Sequence, residues 1–474
     1  MIFKAKKTNI SIYLLSFSAS GIGILLNFFL ARVLEAEVFG RIQYYVALST
    51  TISQFLIFGL NNFLIREAKN EAHNGELFDK CFSLFFVISL FSFPVVYHVL
   101  VNYLENTRGN NIISFLVIAV AILMSISTLV FSYFQGRGKY ILTVTFDSLI
   151  PKLTLFCIAL VFMLLSRLSF FSDNYLLFYV IVYSLIAVPF VFKLFSKINF
   201  KFSFGDLLTI LFFFGVTVTY SLGNNLTKIL QGSLYKNDVV LAIISISISI
   251  VSLVRVFTSV LDSMVKPIFA KQKREGDNEK ILDTYRFDTR MNSYVAIPLY
   301  LFFIISSEKF LYIFGTSYLT YPRILGLICM ANAVSELTGP NGTMLAMIGK
   351  EKWELFNGFL YFLTYTLSVF LFSFDKIYGL CFALLASQVV VNMAKYIEVA
   401  VIFKKMPLDF KTIMTLLLCI VIDGGIIFLI EFIGNFWIWL VVGFTSGICL
   451  VLLNVFAISF YRKHDFKKLI SLKV

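Results

Sequence analysis

The chain is a succession of long apolar runs joined by short polar connections. Runs of about 18 to 25 mostly apolar residues recur near 10–31, 42–65, 81–104, 112–135, 141–165, 175–195 and 207–232. They continue near 239–261, 292–313, 324–347, 356–373, 379–402, 412–432 and 436–460. Roughly 20 apolar residues in a helix cross a 30 Å hydrocarbon core, so each run predicts a spanning helix. The sequence therefore predicts an all-α polytopic membrane protein with about 14 transmembrane helices. Composition agrees: 59% of residues are hydrophobic and 14% charged, against roughly a quarter charged in soluble domains. A cytosolic enzyme, a secreted disulfide scaffold and a disordered chain are excluded together. The first run lacks an Ala-x-Ala cleavage site and is expected to stay as a membrane anchor.

The formal net charge is +13, from 40 Lys and Arg against 27 Asp and Glu. Placing both termini in the cytoplasm puts most of the cations on inside segments. These are the head (Lys4, Lys6, Lys7), the connections Arg66–Lys80, Arg137–Lys139, Lys193–Lys201, Lys266–Arg290, Lys350–Lys352 and Lys404–Lys411, and the tail Arg462–Lys473. The outside segments hold only Arg32, Arg41, Arg108, Arg167, Lys236, Lys309, Arg323 and Lys376. The inside set outnumbers the outside set by more than three to one, which fixes the orientation. The basic surplus is thus mainly topological, and no nucleic-acid partner is needed to explain it. Blocks such as Lys271–Arg274 and Lys463–Lys468 are solvated orientation signals that can also touch anionic lipid headgroups.

An internal repeat is visible at an offset of about 200 residues. Leu64-Ile65-Arg66-Glu67-Ala68-Lys69 followed by Gly75-Glu76 answers Val265-Lys266-Pro267-Ile268-Phe269-Ala270-Lys271 followed by Gly276-Asp277, and Gly138-Lys139 answers Gly349-Lys350. Biased composition alone can also produce such matches. If genuine, an offset of six helices keeps both halves in the same orientation, a parallel pseudo-repeat about an axis normal to the membrane. The expected architecture is two six-helix bundles facing a central cavity, plus two C-terminal helices. Residues 1–195 form the first bundle, 196–206 a cytoplasmic linker, 207–402 the second bundle, and 403–474 the additional helices with a basic tail.

Polar and ionisable side chains at membrane depth are costly, and their placement marks candidate sites. The seventh helix aligns Ser221, Asn224, Asn225, Lys228, Gln231 and Gly232 on one face, and the eighth aligns Ser245, Ser249, Ser252, Arg255, Ser259 and Asp262. The tenth offers Asn332, Ser335, Glu336, Gly339 and Thr343; the twelfth offers Gln388, Asn392, Lys395 and Glu398; the first offers Ser16, Ser20, Gly23 and Asn27. Ser, Asn and Gly at such positions also serve as helix–helix glue without any ligand. Full charges are harder to explain that way. Lys152, Lys228, Arg255 and Lys395 would line a cavity for an anion, above all phosphate or diphosphate. Acidic candidates for ion coupling are Asp147, Asp262, Glu336 and Asp423.

Enzymatic constellations do not appear. There is no Gly-x-x-x-x-Gly-Lys-Ser/Thr phosphate loop, no Gly-x-Ser-x-Gly and no His-Glu-x-x-His. The six cysteines fall in apolar runs without a Cys-x-x-Cys and read as small buried hydrophobes, and the three histidines are too scattered for a metal site. The predicted outside connections are short, which argues for transport rather than for chemistry.

Several segments resemble one family. Phe29-Leu30-Ala31-Arg32-Val33-Leu34 with Val38-Phe39-Gly40 resembles the first connection of polysaccharide-repeat flippases, the Wzx-type O-antigen and capsule transporters of the multidrug/oligosaccharidyl-lipid/polysaccharide exporter superfamily. Phe58-Gly59-Leu60 to Arg66-Glu67-Ala68 resembles the end of that family's second helix. Tyr133-Phe134-Gln135-Gly136-Arg137-Gly138-Lys139, Phe314-Gly315 to Tyr321, and Leu345-Ala346-Met347-Ile348-Gly349-Lys350 resemble later segments. The resemblance covers most of residues 1–400. It departs at the seventh helix, where Asn224 and Asn225 stand in place of a frequent acidic residue. It implies a MATE-like fold without enzymatic activity or a bound cofactor, in the bacterial inner membrane, and the family-motif cations Arg32 and Arg66. The implied cargo is an undecaprenyl-diphosphate-linked oligosaccharide, turned from the cytoplasmic to the periplasmic leaflet. Alternating access by rocking of the two bundles is the expected mechanism, and with no nucleotide site the energy is expected from a proton or sodium gradient or from the membrane potential. Membrane lipids and the polymerase and other glycan-assembly proteins are the implied partners. The alternatives are a same-fold peptidoglycan-precursor flippase or drug/cation antiporter, and, in a different class, a membrane glycan polymerase or ligase. A cationic-drug exporter should carry acidic rather than basic cavity residues.

Overall fold

A computed structural model describes the backbone of residues 2–68, 75–105 and 111–461. Side chains are described there except at 2–13, 103–105, 216, 219–224, 257, 259–264, 267, 270, 346, 351, 411 and 456–461. Asn224 and Asp262 therefore lie outside the described side chains, and the basic tail 462–474 outside the described residues. All regular structure among the described residues is helical. The helices long and apolar enough to cross a membrane number ten, or eleven if α2 (Ala36–Ile57) and α3 (Leu60–Glu67), bent by 55°, are one span. The protein is a multi-pass membrane protein. The runs near 207–232, 292–313 and 324–347 are helical but fall short of that length-and-hydropathy measure among the described residues.

Two compact units, residues 1–245 and 246–474, make up the chain. The first contains α1 (Ile2–Val33), α2, α3, α4 (Glu76–Glu105), α5 (Asn111–Gly136), α6 (Tyr140–Thr143), α7 (Ile150–Leu164), α8 (Leu168–Asp173), α9 (Tyr175–Leu194) and α10 (Phe204–Leu230). A π-helical turn, Val144–Leu149, joins α6 to α7, and another, Gln231–Tyr235, follows α10. Helix α5 is the hub, packed on α2, α3, α4 and α9. Its Val117, Val120, Ala121, Leu129, Val130 and Phe131 are wholly buried. Serines let α2 approach it closely: Ser49 Oγ donates to the Val117 carbonyl at 3.0 Å and Ser125 Oγ to Ser53 Oγ at 3.0 Å. Such small polar side chains give packing and interhelical bonds where lipid offers neither.

Helix α10 packs on α2 and α3 within this unit. Its start is fixed by a capping box in which Ser203 Oγ accepts from the Asp206 N–H at 3.1 Å and Asp206 accepts from the Ser203 N–H at 3.0 Å. The α2–α3 bend lets α10 come close. Gly59 takes φ +76°, and a Cβ there would lie 2.4 Å from the Phe214 amide nitrogen, so only glycine fits.

The second unit holds most of α11 (Asp238–Arg274), then α12 (Asn278–Ile305), α13 (Ser307–Tyr312), α14 (Arg323–Thr338), α15 (Asn341–Met347), α16 (Glu351–Leu371), α17 (Gly379–Phe403), α18 (Phe410–Glu431) and α19 (Phe436–Tyr461). Helix α12 is central, against α14, α18 and α19. It begins well before the expected start near residue 292 because its first half buries polar residues: Thr284, Asp288, Thr289, Arg290, Asn292 and Ser293. Two cations read as solvated orientation signals are thus structural. Arg286 donates to the carbonyls of Pro407 (2.9 Å) and Met406 (2.8 Å), and buried Arg290 donates to Thr412 Oγ1 at 3.4 Å. Outside the membrane, Asp277 caps α12. The hydrogen bond from the Lys280 ammonium, then that from the Lys280 backbone N–H, holds its carboxyl below the ordinary aspartate value.

The expected tenth helix is broken at Gly339-Pro340 into α14 and α15. Gly339 has φ +84° with its α-carbon against Thr289, and the Tyr285 hydroxyl lies on the freed Thr338 carbonyl and on Asn341 Oδ1 (2.7 Å). The break is therefore internally satisfied. All six cysteines are free, but Cys157 and Cys449 are exposed rather than buried. Exposed Phe86, Leu90 and Phe91 on α4, and Leu417, Leu418 and Val421 on α18, form outward apolar faces of the kind a hydrocarbon phase accepts.

Candidate functional site

In the first unit the polar face of α10 meets α2 and α3 in three rungs. Asn62 Nδ2 donates to Thr217 Oγ1 at 3.1 Å, Asn225 Nδ2 to Thr50 Oγ1 at 3.2 Å, and Lys228 Nζ to Gln43 Oε1 at 3.3 Å. Gln43 is itself oriented, donating from Nε2 to Asn27 Oδ1 of α1 at 3.1 Å. Lys228 has no carboxylate within ion-pair distance among the described residues. One turn on, Gln231 is fully buried, and neither of its amide atoms has a hydrogen-bond partner among the described residues. An uncompensated ammonium beside an unsatisfied amide costs stability in an apolar interior. The same pair is equipped to accept an anionic, hydroxyl-rich ligand.

A second polar cluster lies along α1. Asp147, in the π-helical turn, accepts from Ser127 Oγ of α5 at 2.8 Å and feels the Lys152 ammonium electrostatically. Lys152 donates to the Ala19 carbonyl at 3.4 Å, and its stem lies over Gly23, where a Cβ would sit 3.0 Å from Cδ. Gly23 and Asn27 are one turn apart on α1, so that helix touches the stem of Lys152 from α7 and also supplies the side chain that orients Gln43 toward Lys228.

The four expected cavity cations therefore divide. Lys152 lies within electrostatic reach of Asp147, and among the described residues Lys228 meets an amide and no carboxylate. In the second unit Lys395 Nζ pairs with Glu354 Oε1 at 2.8 Å, and Arg255 Nε lies 3.9 Å from Glu336 Oε1, which also accepts from Thr258 Oγ1 at 3.4 Å. Lys395 is thus closely paired, whereas the Arg255 side chain stays half-exposed at the edge of ion-pair distance from its carboxylate. The same contact brings Glu336, a candidate for ion coupling, onto Arg255. Ser252 and Asn332 turn their donors back on their own helices, to the carbonyls of Ile248 and Ile328, both at 2.8 Å. Asp423 accepts from Asn454 Nδ2 at 2.7 Å and ties α18 to α19. Of the motif cations, Arg32 is exposed, while Arg66 pairs with Glu67 at 2.7 Å and lies over the Phe213 ring. Among the described residues no group of three or more His, Cys, Asp or Glu could hold a metal ion.

Sequence reasoning missed Gln43, Ser127 and Glu354. Gln43 carried a signal, being an amide within an apolar run. Glu354 stood at the edge of a run, where a charge reads as an interface anchor.

A family model described as "Polysaccharide biosynthesis protein" matches residues 29–323. The chain belongs to this polysaccharide biosynthesis protein family. Both the Lys228 cluster and the Asp147 cluster include side chains within the matched span. No curated protein sequence matches the chain. Among solved structures this family member is similar to the lipid II flippase MurJ in an inward closed conformation, at 14% identity and a TM-score of 0.68 over 96% of this chain and 99% of that one. It is also similar to the MATE multidrug transporter DinF-BH, at 11% identity and a TM-score of 0.57 over 83% of this chain and 94% of that one. A transporter of the MOP superfamily from Pyrococcus furiosus matches at 11% identity and a TM-score of 0.53, over 83% and 95% of the two chains. The fold is MurJ- and MATE-like.

Proposed function

We propose that the protein is a flippase for a lipid-linked oligosaccharide repeat unit of O-antigen or capsule type, carried on undecaprenyl diphosphate from the cytoplasmic to the periplasmic leaflet of the bacterial inner membrane. The observation that carries this reading is the polysaccharide-family match over residues 29–323 on a chain whose Lys228 is held by an oriented amide and, among the described residues, no carboxylate. Diphosphate supplies the missing counter-charge, and sugar hydroxyls supply partners for Gln231. The chain works by alternating access, with fourteen crossings arranged as six plus six plus two helices and both termini in the cytoplasm. With no phosphate-loop motif in the sequence, an ion gradient drives it, with Asp147 and Glu336 as the described candidates. Glycan polymerisation or ligation is a less well supported reading.

The likeness to MurJ supports a second reading, a peptidoglycan-precursor cargo, which shares the diphosphate and differs in the sugar. The cationic site counts against a cationic drug. The test is translocation of a fluorescent undecaprenyl-diphosphate-linked sugar in proteoliposomes. A charge-assisted hydrogen bond contributes about 1.5–3 kcal/mol, so Lys228→Ala should weaken cargo binding by roughly 10- to 150-fold. Lys228→Arg should retain most of it. Wild-type translocation by Lys228→Ala, with unchanged cargo affinity, would remove Lys228 from the site.

A further inference from the structure

Helix α9 carries Tyr175, Tyr179 and Tyr183 at intervals of four, on one face of a helix long and apolar enough to cross a membrane. Tyr175 is buried, and its hydroxyl donates to the Tyr179 hydroxyl at 3.2 Å with ring centroids 4.9 Å apart. The Tyr179 and Tyr183 rings stack at 6.0 Å. Two turns further along the same face, Phe190 meets Phe131 of α5 at 5.3 Å and Phe146 at 5.4 Å. Phe146 immediately precedes Asp147, and Ser127, the donor to Asp147, lies one turn before Phe131. The aromatic contacts thus bring the tyrosine-bearing face of α9 against the π-helical turn. Tyr183 lies within electrostatic reach of Asp147.

We propose that Tyr175, Tyr179 and Tyr183 form a hydroxyl path that delivers protons from the outer membrane surface to the Asp147 carboxylate, the group that couples transport to the proton gradient. This rests on the transporter reading above and on its orientation, which puts Tyr175 at the outer end of α9. Each hydroxyl passes its proton inward and receives one from its outer neighbour, with bridging water completing the intervals. One proton enters at Tyr175 and one binds an Asp147 oxygen, leaving the tyrosines unchanged.

The acceptor is suited to a proton rather than a sodium ion. A hard cation needs several oxygen ligands, whereas the side-chain oxygens bonded together here are the Asp147 carboxylate and the Ser127 hydroxyl, with the Lys152 ammonium within electrostatic reach. The other titratable groups on the elements around it are Tyr183 on α9, Tyr133 at the inner end of α5, Tyr140 at the start of α6 and exposed Cys157 on α7. The described side chains of α1 add none before Arg32. Protonation cancels the attraction between Asp147 and Lys152. Lys152 rests on Gly23, and Asn27 one turn away orients Gln43 under Lys228. The proton is thereby coupled through α1 to the anion-binding lysine.

The test is infrared spectroscopy of the full chain in phosphatidylethanolamine/phosphatidylglycerol vesicles, with the bath acidified and the lumen held by trapped buffer. The difference between wild type and Asp147→Asn should contain a protonated-carboxyl band that rises on acidification. Tyr175→Phe, Tyr179→Phe and Tyr183→Phe keep the rings and remove the hydroxyls. Each should slow the rise by about tenfold or more while leaving its final amplitude unchanged. Rises as fast as wild type in all three would overturn the path, and the absence of any difference between wild type and Asp147→Asn would overturn Asp147 as the acceptor. No lipid-linked sugar is needed, so failure here is distinct from failure of the flippase assay.

Discussion

The ion pair between Lys395 and Glu354 allows a sharp separation of structural from ligand-binding charge. Their side chains are 15% and 9% exposed and lie 2.8 Å apart, and Gly342 leaves the room the Glu354 carboxylate occupies. Removing one member of so buried a pair leaves the other uncompensated, at a cost of about 3–5 kcal/mol. Removing both charges while keeping volume should cost far less, because neither is then stranded. Lys395→Met and Glu354→Gln should each destabilise by about 3 kcal/mol or more, and the double variant by less than either alone, giving a coupling energy well above about 0.5 kcal/mol. The measurement is reversible unfolding in mixed detergent micelles followed by tryptophan fluorescence, with Trp353 adjacent to Glu354 in the chain. Cargo affinity of the double variant should stay within about threefold of wild type, a difference below about 1 kcal/mol. Additive single effects would refute the pairing argument. A stable double variant that had lost cargo binding would restore Lys395 to the site.

Two further substitutions test how the fold is pinned. Gly339→Ala places a methyl 2.0 Å from Thr289 Oγ1 at φ +84°, so it should destabilise by about 2–4 kcal/mol, with partial recovery on adding Thr289→Ala, which relieves the clash but not the backbone strain. Ser203→Ala removes the exposed capping box of α10 and should cost about 1 kcal/mol by the same unfolding measurement, while Ser203→Asp should cost less.

Hydropathy made most of the helices legible, because an unbroken apolar run has few alternatives in lipid. It was weakest where polar residues are buried by other helices. The first half of α12 carries Asp288, Arg290 and Asn292 and reads as an aqueous loop, yet it is interior. The α14–α15 break was visible only as Gly339-Pro340, and what stabilises it, the Tyr285 hydroxyl, comes from a different helix. The site followed the same pattern. Lys228 and Asp147 could be singled out by their cost in an apolar segment. Their partners could not, since Gln43 is 185 residues from Lys228 and Ser127 is 20 from Asp147. Periodicity on one helix identifies a polar face but is silent on what that face meets.

Some backbone signals recur between the two units while the pairing of charges does not. The amide of Lys139 closes on the Phe134 carbonyl at 2.9 Å after Gly138, and that of Lys350 closes on the Leu345 carbonyl at 2.9 Å after Gly349, both glycines at φ +78°. Gly75 and Gly276 likewise take positive φ just ahead of α4 and α12. These matched caps place equivalent chain reversals in the two units. The second unit nevertheless pairs Arg255, Lys309 and Lys395 with Glu336, Glu431 and Glu354. The first leaves Lys228 on an amide and sets Lys152 beside a carboxylate that a proton can neutralise. Under the flippase reading, one uncompensated cation in one unit is enough to hold an anionic cargo. Loss of cargo binding on substitution should therefore concentrate in the first unit, and loss of stability at the paired charges of the second.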